Sequence, residues 1–246
     1  MLSRFEILLS DKEREINRNM ASLFHGALME LLPPEYADKL HENGLKPFSQ
    51  YIVPCGEGAR WYINCLNDEC AEHINTALMR GTESIHIKNK DITSEIISRN
   101  LSTMSYKSFI DKTYFSPPPR SITVFFNTPT AFKENGRYVI FPNMGAIYKN
   151  LIRKFDAFST EYSIYDEETL ESLTEMSNIF SYKLQSTAHH MESVKIPSFT
   201  GRISVGTGGR GQLASLACLL LSYGEYAGIG IKTALGMGAV QAKRGE

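Results

Sequence analysis

The sequence predicts an α+β protein built from two tandem domains. Three observations carry this. Helical apolar periods alternate with short strand-like runs along the chain. The run Ser116-Pro117-Pro118-Pro119 interrupts that alternation near its middle. The order strand, helix, strand, strand, helix, strand is read before the break, and the half after it repeats the approximate topology without an obvious sequence repeat. That order is the ferredoxin-like (RRM-like) motif. The expected architecture is therefore two ferredoxin-like domains, 1–116 and 120–246, with a glycine-rich loop near the C-terminus. Halves of about 120 residues are long enough for each to bury its own core.

In the first half, 2–9 reads as a strand. Residues 16–32 carry Met20, Leu23, Phe24, Ala27, Leu28, Leu31 and Leu32 at helical spacing, ended by Pro33-Pro34. A short helix over 35–42 closes at Asn43-Gly44. Strands at 48–54 and 60–66 flank turn residues Gly56 and Gly58, and helix 68–80 stops at Gly81. Strands at about 84–88 and 100–109 complete the half. The second half starts with a strand at 121–127. A hairpin over 131–141 turns at Glu134-Asn135-Gly136, and helix 144–158 follows. An acid-rich helix at 166–176 precedes paired strands at 178–188 and 194–205. Helix 212–225 has a stripe through Leu213, Leu216, Ala217, Leu220 and Leu221, and the last strand is 237–242.

Composition excludes several classes. Leu8 and Leu9 run straight into Asp11, Lys12, Glu13 and Arg14, unlike an export signal, and no stretch approaches the roughly 20 apolar residues of a membrane span. A cytoplasmic location with no membrane partner is expected. Cys55, Cys65, Cys70 and Cys218 then read as free thiols. Cys65, Cys70 and His73 suggest zinc, but no second tight cysteine pair completes the set, and small buried hydrophobes is the better reading; no metal and no cofactor is expected. The net charge of −1 hides an uneven distribution: between Ser177 and Arg244 stand seven basic residues against two acidic ones. Such a local basic face suffices to hold phosphates, because the attraction is short-ranged in physiological salt.

The segment Ala227–Gln241 is the most informative. Gly228, Gly230, Gly236 and Gly238 follow a strong helix at G-x-G-x₅-G-x-G spacing, with Lys232 and Thr233 between them. A dinucleotide fingerprint would need glycine where Thr233 stands, and a P-loop would need glycine where Ile231 stands. Two readings stay open on the loop alone: a phosphate clasp of backbone N–H groups and Lys232, or a tight helix-to-strand connection used only for packing.

This GxGxKTxLGMG segment is similar to the signature loop of the RAMP superfamily, and within it to the repeat-processing endoribonuclease called CRISPR-associated protein six. Further stretches carry the resemblance: Thr128-Pro-Thr-Ala-Phe132, Gly136-Arg-Tyr-Val-Ile-Phe-Pro142, Asp156-Ala-Phe158, Lys195-Ile-Pro-Ser-Phe-Thr-Gly201, Leu23-Phe-His-Gly26 and Leu40-His41. It spans essentially the whole chain and looks most like members that accompany type III interference complexes. The resemblance implies an endoribonuclease that cuts CRISPR repeat RNA in the precursor transcript without a metal. The RNA's own 2′-hydroxyl would attack the adjacent phosphate, leaving a 2′,3′-cyclic phosphate and a 5′-hydroxyl. It allows a transient contact with a type III interference complex, and a monomer or a homodimer.

Such chemistry needs proton transfer, for which histidine suits with an unperturbed pKa of about 6.5, and a cation at the phosphate. In the family a histidine followed by a lysine in this first-domain region is the usual catalytic pair. This gives His41 the acid or base role and Lys46 the phosphate role. The tyrosine some members place further along the preceding helix is replaced by about Met29, so His25 becomes the candidate partner of His41. His25 also has a packing reading. Lys183, Lys195, Arg202, Arg210 and Lys232 are the expected RNA-binding cations, with Gly228, Gly230, Thr233, Gly236 and Gly238 shaping the loop and Tyr182 and Phe199 as stacking platforms. His189 and His190 read as a turn between strands, and His73 and His86 as surface. Two rivals are a catalytically silent RAMP-like RNA-binding subunit and a nucleotide-binding enzyme using the glycine loop.

Overall fold

A computed structural model describes residues 1–42, 44–56, 58–191, 194–208 and 211–245. The chain divides into two compact units. The first comprises Met1–Thr103 together with Ala234–Gly236, and the second Met104–Thr233 with Met237–Glu246. The glycine-rich segment therefore contributes three residues to the unit at the other end of the chain.

In the first unit the order is β1 (Leu2–Ser10), α1 (Ala21–Leu31), α2 (Pro34–His41), β2 (Phe48–Cys55), β3 (Gly58–Cys65), α3 (Asp68–Ile74), β4 (Ser84–Ile87) and β5 (Ile92–Met104). The sheet order β2-β3-β1-β5-β4 contains the ferredoxin-like order, extended by β4 at one edge. β1 alternates buried and half-buried residues, which is why Phe5, Ile7 and Leu9 reach the core. On the α1 side Phe24 and Leu28 join it, Phe24 meeting the edge of Trp61 at 5.2 Å. Pro34 at the first turn of α2 forces a break after α1 without removing a needed donor. The predicted helix 68–80 is present in two parts, α3 and a π-helical segment Asn75–Arg80.

The second unit runs α4 (Tyr106–Thr113), β6 (Ser121–Thr130), β7 (Phe132–Glu134), β8 (Arg137–Val139), α5 (Met144–Phe158), α6 (Glu167–Met176), β9 (Asn178–Met191), β10 (Val194–Gly206), α7 (Gln212–Ala227) and β11 (Val240–Arg244). Its main sheet has the order β11-β6-β10-β9, again ferredoxin-like. Ser105 caps α4 by accepting from the Ser108 N–H at 3.0 Å, so the strand expected over 100–109 ends early and a helix follows. The last strand starts later than expected. Gly238 N–H donates to the Pro129 carbonyl at 3.0 Å and Asn127 N–H to the Ala239 carbonyl at 2.8 Å, which holds 237–239 in the loop.

Candidate active site and nucleic-acid interface

Two histidines meet in the first unit. His25 lies mid-way along α1, and His41 is the exposed last residue of α2. The tight Pro33-Pro34 turn folds one helix against the other. It brings the two rings to 6.4 Å, edge to face. His25 also stacks on Phe48 at 5.8 Å, nearly parallel. Its Nδ1 is buried without a hydrogen-bond partner. Burial, and then the neighbouring His41, lower the His25 pKa to about 4, against an opposing pull from the Ala234 carbonyl. Lys46 is close enough to add to the lowering, and its Nζ donates to the Glu42 carbonyl. The structure thus brings His25, His41 and Lys46 together. Met29, 8% exposed, belongs to the core there.

Beneath His25 runs a buried polar network that local sequence patterns did not reveal. Trp61 Nε1 donates to Gln50 Oε1 at 2.7 Å. Gln50 Nε2 in turn donates to the carbonyls of Ala21 at 2.6 Å and Ala234 at 3.0 Å. One amide therefore ties the first turn of α1 to the Ala234 carbonyl that faces His25. Gly236 completes the seat. At φ +95° a side chain there is strained, and an added Cβ would lie 2.2 Å from Ala21 Cβ.

The rest of the glycine segment is held by the second unit. Asn150 and Gly230 bond reciprocally, Gly230 N–H donating to Asn150 Oδ1 at 3.0 Å and Asn150 Nδ2 to the Gly230 carbonyl at 3.3 Å. Lys154, 4% exposed, donates to the carbonyls of Ala227 at 3.0 Å and Gly228 at 2.9 Å, and to Thr233 Oγ1 at 3.3 Å. Burial lowers its pKa to about 7, while three acceptors and the C-terminal end of α7 favour its charge. The run 128–131 bonds the same segment: Ala239 N–H donates to Thr128 Oγ1 at 2.9 Å, and Ile231 N–H to the Ala131 carbonyl at 3.0 Å. A signal for Lys154 existed, since it falls on the stripe of Ile147, Leu151 and Phe155. Asp156 also has a structural partner, accepting from the N–H groups of Ile164 and Tyr165 at 2.7 and 2.9 Å.

These bonds decide what the loop offers. Gly228, Gly230, Gly236, Gly238 and Thr233 are all buried, and the N–H groups of residues 228–231, 237 and 238 meet protein acceptors. The loop is a packed connector, and Lys232 is its exposed cation, held at φ +54°. On the main sheet, Lys183 and Arg202 are exposed register partners, as are His190 and Lys195. Lys183 and His190 are seven positions apart, an odd offset, so the two pairs project from opposite faces of the hairpin rather than along one line. In the row of Arg202 lies Phe125 of β6, with Lys243 Nζ 5.3 Å from its ring. Tyr182 is 63% exposed and meets Phe141 edge-on at 5.9 Å, whereas Phe199 is buried at 2% and is no stacking platform. His189 is not in a turn: it lies in β9, 1% exposed, with Nε2 unpartnered. Arg210 lies outside the described residues.

The cysteines are free, with Sγ of Cys65 and Cys70 3.6 Å apart in the core. His73 is half-buried and stacks on Tyr36 at 3.9 Å. Among the described residues no group of three His, Cys, Asp or Glu side chains gathers as a metal site, and no helix is long and apolar enough to cross a membrane.

The family model for the CRISPR-associated endoribonuclease Cas6 matches residues 124–240. A Streptococcus thermophilus protein of that name is 31% identical over 229 residues, covering 91% of this chain and 91% of its own length. This chain belongs to the Cas6 endoribonuclease family. A Mycobacterium tuberculosis Cas6 is 28% identical over 98% of this chain and 78% of the relative. Among solved structures, a Cas6 product complex superposes with a TM-score of 0.81 at 21% identity, covering 99% of this chain and all of that one. Thermus thermophilus Cas6 gives 0.72 at 21% identity, covering 99% and 98%. These Cas6 structures share the double ferredoxin-like fold read from the sheet orders above.

Proposed function

We propose that this Cas6-family chain cleaves CRISPR repeat RNA by metal-independent attack of the 2′-hydroxyl on the adjacent phosphate. The observation that carries the reading is the meeting of His25, His41 and Lys46, two proton-transfer groups and a cation in one place. His25, kept neutral at pH 7, takes the proton of the attacking hydroxyl on Nδ1, the unpartnered ring nitrogen, which the RNA must first uncover. His41, exposed at the end of α2, gives a proton to the leaving 5′-oxygen. Lys46 donates to the phosphate oxygen on which charge accumulates. The products are a 2′,3′-cyclic phosphate and a 5′-hydroxyl, so no water enters the cutting step. Lys183, Arg202, Lys195 and Lys232 hold the RNA backbone. Register pairing of like charges at Lys183–Arg202 is unfavourable without an anion between them, which supports that assignment.

The test is cleavage of a labelled repeat RNA in EDTA by wild type and His41→Ala, with a 2′-deoxy substitution at the cleavage nucleotide as control. Cutting by wild type and a loss of about 10²–10⁴-fold in the variant are expected, with no cutting of the deoxy substrate. Tight binding without cutting by wild type would mark a silent RNA-binding subunit instead.

A further inference from the structure

A hollow of about 480 Å³ in the second unit is left unexplained by the cutting chemistry. It is lined by β7, α5 and the glycine-rich segment, among them Lys133, Glu134, Lys149, Asn150, Arg153 and Gly230. Three of these six are cations and one is an acid. Lys149 and Arg153 stand four residues apart on α5 and share a face, where like charges repel. Among the described residues no carboxylate pairs with Lys133, Lys149 or Arg153. The neighbouring face of the same helix does the opposite work: Asn150 and Lys154 bond the loop. Gly230 is a fixed wall, since at φ +91° an added Cβ would lie 2.4 Å from the Ala131 carbonyl. Lys133 Nζ lies 6.0 Å over the Tyr138 ring, and a concave surface lined by three cations without an ion pair has the chemistry of an oxyanion site.

We propose that this hollow is a phosphodiester-binding subsite, in which Lys149 and Arg153, with Lys133 opposite, hold the backbone of a segment of the repeat RNA. The assignment rests on repeat RNA being the substrate, and extends its footprint to a surface separate from the β9–β10 hairpin. Arg153 donates from a planar fork that suits two phosphate oxygens, and Lys149 acts as a point charge. Because Asn150 links this helix directly to Gly230, an occupied hollow braces the loop that carries Lys232.

The test measures binding of the full chain to repeat RNA carrying the 2′-deoxy block, across a salt series. Wild type is compared with a K149E/R153E double variant and with K107E/K112E, an equal charge change on the exposed face of α4. The expected result is an affinity loss of at least about tenfold beyond that of the α4 variant. The salt slope should be shallower by about one unit, the signature of one or two lost phosphate contacts. The milder Lys149→Gln/Arg153→Gln pair should give an intermediate loss with an unchanged melting temperature. If wild type binds and cuts the repeat while K149E/R153E and the Gln pair track the α4 control, this subsite is overturned and the cutting site stands. If wild type neither binds nor cuts repeat RNA, both fall together.

Discussion

His25 is held between a stacked phenyl ring, a second imidazole and a backbone carbonyl, and those neighbours determine how it responds to acid. Its folded pKa of about 4 lies below the ordinary value, so the folded chain binds fewer protons than the unfolded one between pH 6.5 and 4. Stability should therefore fall as acid is added across that window, by about 3 kcal/mol from this group. Thermal melts at stepped pH should show the fall, and His25→Phe, which preserves stacking on Phe48, should reduce it. The same neutrality predicts an acid limb of kcat/KM near 4, rather than near the ordinary imidazole value. If His25→Phe cuts repeat RNA at the wild-type rate, the residue is only packing. A loss of about 100-fold or more in a well-folded variant assigns it the proton.

At the scale of elements, α5 is the clamp for the glycine-rich segment. Replacing Lys154 with Met leaves the Ala227 and Gly228 carbonyls and the Thr233 hydroxyl without their donor. A loss of about 3 kcal/mol is expected, which for a chain of this size lowers Tm by roughly 6–12 °C in calorimetry. Gly236→Ala should cost about 1–3 kcal/mol from backbone strain alone, plus the collision with Ala21. Adding Ala21→Gly should recover the collision part and not the strain. These couplings explain what could be read in advance. The strands and long helices were legible because each buries one face, and periodicity records that. Helix α4 was missed although Tyr106, Phe109 and Thr113 follow a helical period, because the preceding long strand invited a period of two. Gln50 and Trp61 carry no local signal, since their meaning lies in a carbonyl 184 positions away. The four glycines all take positive φ, as their spacing suggests, but that spacing alone does not separate a phosphate clasp from a packed connector.

For the molecule as a whole, net charge is a poor guide to what it binds. The chain carries −1 overall, yet seven basic and two acidic residues fall between Ser177 and Arg244. Repeat-RNA affinity should fall steeply with salt. At about 0.7 per neutralised phosphate, the cations Lys183, Lys195, Arg202 and Lys232 contribute about −3 to the log–log slope. A salt-independent affinity would remove them from the interface.

The excursion of Ala234–Gly236 into the first unit also sets a timetable. Domains emerging from a ribosome ordinarily fold in order of synthesis. Here the first unit has all its strands once residue 104 is made, but lacks the carbonyl that faces His25 and closes the Gln50 network until residue 234 follows. A half-made chain thus presents both histidines with the support of one still missing. Competence to cut arrives late in translation, after β6, β9 and β10 have been made.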